Sequence, residues 1–301
     1  MTPRVSIVVP SVGRAPGLPE TLAGLRTGGE TETILVAQGW EPGAAILAAV
    51  DQTVRLPDPV GFAAAANRGV ERARGELVLL LNDDARASLA AVGRLADTLE
   101  EIPEAAAVQP VVLDAAGRVD SLGIAWNGWW QAVQQGHGGR RPAPGFPCGE
   151  IFGAHAAVAL FRRRALAAVA LDGRVFDEAL GTYYEDVELA GRLRAAGWLA
   201  HLESDAEAWH RGGASARVLG HRRLLLLYRN RLLVLARFLG DGLRRALPRI
   251  LARDVVDGLR APSRWPAIVG GWRQARAEGP EFAARGGYRM SLECLRRFRE
   301  G

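Results

Sequence analysis

An α/β fold built on a mostly parallel, Rossmann-like sheet is predicted by three observations. Short apolar runs of strand length and β-prone composition recur at Val5–Val9, Thr33–Ala37 and Leu77–Leu81. Segments of helical character separate them, which implies right-handed βαβ units. From about Ala216 the pattern becomes Leu-rich, helical and strongly basic, so a helical C-terminal region follows the sheet.

The elements follow in order. Val5–Val9 is a strand, and Pro10–Arg14 the loop after it. Leu18–Leu25 is a helix and Thr33–Ala37 the second strand. Ala44–Val50 is helical and Gln52–Leu56 a short strand. Gly61–Ala73 is a helix stopped by Gly75. Leu77–Leu81 is an unbroken apolar run, as expected of a strand buried on both faces. Ser88–Glu100 is a helix and Val108–Leu113 a strand. Ala115 to Gly149, rich in Gly, Gln and Trp, reads as a long irregular segment of the kind that binds ligands. Ala156–Phe161 is a strand and Arg164–Ala170 a short helix. Val187–Ala196 is a helix stopped by Gly197. Leu199–Leu202 is a strand, and Glu207–His210 follows. Pro248, Pro262 and Pro266 divide the C-terminal helices.

Composition sets further bounds. The 301 residues, 49% hydrophobic, suffice for one large α/β domain with an appendage. Formal charge is +5, and all 38 basic residues are arginine. Arginine suits phosphate-bearing ligands and anionic lipid surfaces; no nucleic-acid recognition motif accompanies it. Cys148 and Cys294 match no metal spacing and read as free thiols of a reducing compartment. The N-terminus lacks the pattern of a signal peptide. The longest apolar stretch, Leu224–Leu239, is broken by Arg229, Arg231 and Arg237, so no membrane span is expected. The chain is expected to be cytoplasmic or to lie peripherally on the inner face of the cell membrane.

The chemistry concentrates where Leu77–Leu81 runs into Asn82-Asp83-Asp84. Open α/β sheets bind ligands at the carboxyl ends of their strands. Adjacent carboxylates there repel unless a cation sits beside them, and a divalent ion carrying a phosphorylated ligand answers that need. The alternative is that Asn82 and Asp84 merely cap a turn or a helix.

Other segments join this one: Gly61–Gly69 before the strand, Tyr184-Glu185-Asp186 with Arg192-Leu193-Arg194 and Gly197-Trp198, His210 with Ser215, and Arg229-Asn230. In this order, after the opening Val5-Ser6-Ile7-Val8-Val9-Pro10, they resemble the family 2 glycosyltransferases, inverting enzymes of GT-A fold. The nearest flavour is the rhamnosyltransferase-like branch that builds bacterial cell-surface glycans. The resemblance runs from Val5 to about Asn230. It implies a GT-A domain over residues 1–215, with a nucleotide-binding half to about 114 and an acceptor half from about 115, then a helical region over 216–301.

The resemblance also assigns roles. Asn82 and Asp84 stand at the first and last positions of a D-x-D-like motif, with Asp83 between them. Asp84 is then the principal ligand of Mn²⁺ or Mg²⁺, and His210 a further one. Imidazole tilts the choice toward Mn²⁺. Asp186 is the general base, with Glu185 beside it; the plainer alternative is that one of these acids only caps a helix. Pro10, Ser11, Arg14, Gln38, Gly61, Asn67 and Asp83 fall on the donor side. One departure stands out. Where the family carries an acid after the second strand, this chain has Val36-Ala37-Gln38-Gly39-Trp40, which leaves the nucleotide base open.

The implied activity is metal-dependent, inverting transfer of a sugar from a nucleotide-diphosphate donor to a glycan or lipid-linked glycan in cell-surface polysaccharide synthesis. Gly153-Ala154-His155 lies on the acceptor face, and Trp126, Trp129 and Trp130 either stack on sugars or pack. The alternatives are a non-catalytic nucleotide- or glycan-binding module and a sugar-phosphate nucleotidylyltransferase. A dinucleotide oxidoreductase is excluded by the missing G-x-G-x-x-G. The basic C-terminal helices suit an anionic membrane surface, a homo-oligomer contact or a solvated face.

Overall fold

The computed structural model describes residues 2–25, 30–143, 145–212, 220 and 222–300. The strands are β1 Val5–Ser11, β2 Thr31–Gln38, β3 Gln52–Leu56, β4 Leu77–Leu81, β5 Ala85–Ala87, β6 Ala105–Leu113, β7 Val119–Ser121, β8 Ile124–Trp126, β9 Ala132–Gln134, β10 Gly149–Ile151, β11 Val158–Arg162 and β12 Leu199–His210. The helices are α1 Leu18–Gly24, α2 Ala44–Leu47, α3 Phe62–Val70, α4 Leu89–Glu101, α5 Arg163–Ala168, α6 Glu185–Ala195, α7 Arg222–Leu239, α8 Leu243–Arg260, α9 Trp265–Ala284 and α10 Leu292–Arg297.

The main sheet has the order β10-β12-β6-β11-β4-β1-β2-β3. Neighbours run parallel from β3 to β4 and between β6 and β12. β11 lies antiparallel between β4 and β6, so the sheet is mixed but mostly parallel, as expected for a GT-A fold.

Strand periodicity explains its burial. Ile7, Val9, Leu79 and Leu81 face one side, onto α1 and α4. Val8, Val78 and Leu80 face the other, onto α3, α5 and α6. Both faces are covered, which is why these runs show no polar alternation.

Several boundaries differ from expectation. Pro10 and Ser11 end β1 rather than opening a loop. β1 pairs with β4 only as far as Val8, so Pro10 lies where one edge of the strand is free and its missing N–H is tolerated. The helix expected over Ala44–Val50 is a single turn. Residues 199–210 form one long strand with register shifts, not two pieces. Glu185 and Asp186 fall inside the first turn of α6.

The segment expected to be irregular carries β7 and the β8–β9 hairpin. Its aromatic residues are mostly core. Trp126 and Trp130 are buried with Phe152, Tyr184 and Phe238 in a third apolar cluster, so these two do not present faces to a sugar. Trp129 is exposed.

That cluster also seats α7 to α10 against the sheet domain. Three of the five arginines of α7, Arg229, Arg231 and Arg237, are buried, while Arg222 and Arg223 are exposed. Arg231 pairs with Asp254, and Arg237 with Glu188 and Asp177, all of them buried. Burying these charges is tolerable because each meets an opposite charge. Among the described residues, no helix is long and apolar enough to cross a membrane.

Candidate active site

β4 carries the chain to the carboxyl edge of the sheet, where it turns at once. Asn82 N–H donates to the Ala157 carbonyl at 2.9 Å, and Ala85 N–H to the Asn82 carbonyl at 3.0 Å. The chain then enters β5, which pairs antiparallel with the end of β12, Ala85 opposite His210. Arg211 N–H closes the pairing on the Asp84 carbonyl at 2.9 Å. This short ladder, which no sequence pattern announces, sets His210 beside Asp84.

The two side chains meet with His210 Nε2 3.2 Å from Asp84 Oδ1. On the other ring nitrogen, Nδ1 lies 2.8 Å from Asp120 Oδ2. Asp120 is a site residue that sequence reasoning misses, since nothing local marks it; only the fold brings β7, which carries it, to β12. Burial by itself would lower the His210 imidazole. The hydrogen bonds and charges of Asp120 and Asp84 outweigh it and raise the group to about 9. Burial raises Asp83, and the Asp84 charge adds to this, while the 2.7 Å hydrogen bond from Ser11 Oγ opposes them.

Asp186 stands on the first turn of α6. Its Oδ1 accepts from Val187 N–H at 2.8 Å and its Oδ2 from Ala156 N–H at 3.4 Å. Glu185 beside it is buried, and its Oε2 has no hydrogen-bond partner. Burial first, then the Asp186 charge, lifts the Glu185 carboxyl well above the ordinary range. The loop before these acids is held in an uncommon shape, with Tyr183 and Tyr184 both at positive φ, 73° and 68°. Asn230 of α7 clamps it, its side-chain amide reaching the carbonyls of Leu180, Thr182 and Tyr183 at 2.7–3.2 Å. Arg229 adds a contact to the Ala179 carbonyl at 3.0 Å.

Three cavities border this edge. One of about 610 Å³ is lined by Asp83, Asp84, Arg86, Trp209 and His210, among others, and two more share Asn82 as well as Asp84. Of these two, one of about 1050 Å³ is lined by Pro10, Gln38, Gly61, Asp83 and Arg222, among others. The second, about 290 Å³, is lined by Gln134, His155, Tyr183, Glu185, Asp186, His210 and Arg223, among others. Phe62, Asn82, Asp84 and Thr182 line both. His155 is half-buried, with its Nδ1 buried and unpartnered, and desolvation lowers its imidazole.

The other candidates divide. Gln38 lines the larger cavity while its Oε1 accepts from Val60 N–H at 3.1 Å. Gly61 sits at φ 90°, where an added Cβ would come within 3.2 Å of the Gly181 carbonyl oxygen. Ser11 is committed to Asp83 and to Gly13 N–H. Asn67 is turned inward, spanning the backbone of Phe176 and the Glu178 carboxylate, and lines neither cavity. Arg14 is exposed and likewise lines neither. Trp40 packs: its Nε1 donates to the Ser11 carbonyl at 3.0 Å and its ring covers Gly13. Ser215 lies outside the described residues.

The sequence profile of glycosyl transferase family 2 matches residues 6–169, more than half of the chain. The chain belongs to glycosyl transferase family 2. It is a glycosyltransferase, which sets the nucleotidylyltransferase reading aside. Solved structures agree in fold. The mannosyltransferase PcManGT of Pyrobaculum calidifontis, in complex with GDP-Man and Mn²⁺, is similar at TM-score 0.53 and 18% identity over 99% of this chain and 79% of its own. Residues 1–349 of S. aureus TarS are similar at TM-score 0.56 and 14% identity, over 93% and 81% respectively. GalNAc-T7 with UDP, GalNAc and Mn²⁺ gives TM-score 0.54 and 11% identity over 80% of this chain, which spans 49% of that protein. No curated protein sequence matches the chain. The family is thus established, and the rhamnosyltransferase-like branch is not distinguished within it.

Proposed function

We propose that this glycosyltransferase moves a sugar, with inversion, from a nucleoside diphosphate donor to a hydroxyl of a glycan or lipid-linked glycan, assisted by a divalent cation. The observation that carries this reading is the junction of the two cavities at Asn82 and Asp84. The larger, bordered by Pro10, Gln38, Gly61 and Asp83, takes the nucleotide. The smaller, bordered by His155, Glu185 and Asp186, takes the acceptor. The anomeric carbon belongs where they meet. Residues 1–215 form the catalytic domain in this reading, with donor and acceptor halves dividing near residue 114. Residues 216–301 form the helical region that braces it.

The residues present suit a cation. Two ligands side by side in an octahedron at about 2.1 Å from Mg²⁺ stand about 3 Å apart, close to the 3.2 Å between Asp84 Oδ1 and His210 Nε2. Among the described residues no group of three or more His, Cys, Asp or Glu is arranged to hold a metal. Asp84 and His210 would hold the ion from the protein side, and the remaining ligands would come from the diphosphate and water, as is usual for Mg²⁺ sites. The Asn82 amide, 3.5 Å from His210 Nε2, would offer its oxygen if rotated. The neighbours with bound Mn²⁺ favour that ion, as does His210. When bound, the cation would offset charge developing on the leaving diphosphate.

Chemistry at the acceptor falls to Asp186. Glu185 is buried with Oε2 unpartnered and shapes the pocket, while Asp186, oriented at the cavity wall by the Val187 and Ala156 N–H groups, accepts the proton. The acceptor oxygen bonds to the anomeric carbon as the bond to the phosphate oxygen breaks, and the hydroxyl proton passes to Asp186. The nucleotide base is read without the acid common in the family, since Ala37 is buried and apolar. A donor-hydrolysis screen across nucleotide sugars, with and without Mn²⁺, tests the reading. Metal-dependent turnover of at least one supports it. If no nucleoside diphosphate binds in calorimetry with Mn²⁺ present, it fails.

A further inference from the structure

The outward face of α8 is unlike the rest of the surface. Leu251, Val255 and Leu259 recur every fourth residue, on one side of the helix, and Val256 lies next to them. Leu251 is 52% and Leu259 70% exposed. The charges on the same helix are sorted. Its acids, Asp254 and Asp257, are both buried. Asp254 is held by Arg231 at 2.6 Å and by Trp272 Nε1 at 2.8 Å, and Asp257 by Arg253 at 3.0 Å. Arg244, Arg245, Arg249 and Arg260 are exposed. Between Leu243 and Arg260, then, the solvent sees leucine, valine and arginine and no carboxylate. Trp265, half-buried, packs over Gly258 at the end of the helix.

We propose that this face of α8 lies on an anionic lipid bilayer, with Leu251, Val255, Val256 and Leu259 in the acyl boundary and the four arginines at the headgroups. A helix that lies in the interface needs apolar residues on one side and cationic residues flanking them. An interface with a second copy of this chain would place arginine against arginine across a two-fold axis, with no exposed acid on α8 to compensate. Arginine near an anionic surface adds about fivefold to partitioning per residue. The proposal is independent of which sugar is transferred.

Flotation of the full chain with vesicles tests it. The wild-type protein should float with mixed phosphatidylglycerol–phosphatidylcholine vesicles, far less with phosphatidylcholine alone, and less as salt rises. L251Q/V255Q/L259Q should reduce partitioning at least about tenfold, and R244Q/R245Q/R249Q by about 100-fold. These side chains are exposed and outside the site. Nucleoside diphosphate binding in the same preparations should therefore stay unchanged, which separates lost docking from lost folding. Two results overturn the proposal. One is a wild type that stays at the bottom with anionic vesicles. The other is a sedimentation profile in which the apolar variant loses a dimer while neither form floats.

Discussion

Replacing Asp120 by Asn keeps the shape of the side chain and removes its charge from His210 Nδ1. Its effect on metal affinity depends on pH in a way that the geometry dictates. Asp120 does two opposed things. It fixes the ring so that Nε2 faces Asp84, and loss of such an outer partner costs about 10–100-fold in metal affinity. It also helps raise His210 to about 9, and a metal must displace that proton, which weakens binding about 100-fold at pH 7. The substitution removes the shorter of the two carboxylate contacts, 2.8 Å against 3.2 Å, so His210 should fall. Each unit of fall returns about a factor of ten at pH 7 and nothing above the wild-type value.

The variant should therefore bind Mn²⁺, in the presence of a nucleoside diphosphate, about 10–100-fold more weakly above pH 9, with the gap much narrowed at pH 7. Anaerobic calorimetry across that range measures it, and imidazole NMR of the metal-free protein reads His210 directly. Equal affinities above pH 9, or a ratio independent of pH, would refute the reasoning. The shift also bears on stability. A group raised from 6.5 to about 9 on folding stabilises the metal-free protein by about 3 kcal/mol. That contribution is complete below about 6.5 and is lost as pH rises through about 9. Thermal denaturation should show it in the wild type and less of it in Asp120→Asn.

Three further outcomes are expected. Asp186→Asn should lower transfer by about 10²–10⁴-fold with donor affinity within about twofold, measured by product formation and calorimetry; wild-type turnover would dismiss it as the base. Asn230→Ala should remove the amide shared by three loop carbonyls, of which Leu180 keeps a second donor, Thr182 N–H, costing about 1–3 kcal/mol in chemical denaturation and lowering kcat more than it raises donor KM. Gly61→Ala, forced to positive φ against the Gly181 carbonyl, should destabilise the chain by about 1–3 kcal/mol and weaken donor binding; unchanged melting would show that the loop gives way.

What is legible in the sequence is local or periodic. The apolar runs of β1, β2 and β4 announce themselves because both faces are buried. The change from Leu81 to Asn82-Asp83-Asp84 marks the ligand edge because an abrupt change of polarity at a strand end has few other causes. Asp120 is invisible for the opposite reason. Its partner is 90 positions away, and neither spacing nor composition hints that β7, paired with β6, brings Asp120 to the end of β12. Asn67 misleads for a similar reason: it sits in the right segment, but the chain at Phe176 takes up its amide. Trp126 and Trp130 look available only if their stretch is irregular; the β8–β9 hairpin under α7 turns them into core.

The helical region after the sheet carries the same lesson into function. Read as a row of arginines, α7 looks like a surface. In the structure Arg229, Arg231 and Arg237 face inward: Arg237 reaches Glu188 on the helix that begins with Glu185 and Asp186, and Asn230 holds the carbonyls of the loop just before them. Tyr183 and Tyr184 each occupy a backbone region that costs about 1–3 kcal/mol, and such a conformation persists only when neighbours over-determine it. Those neighbours belong to α7, so the shape of the proposed base loop depends on residues far from any acid in sequence. A change at Asn230 should then act on Asp186 through the loop, and the rescue that separates this from general destabilisation is Asn230→Gln. If the longer amide restores melting but not kcat, placement of the loop and not mere packing is what Asn230 supplies.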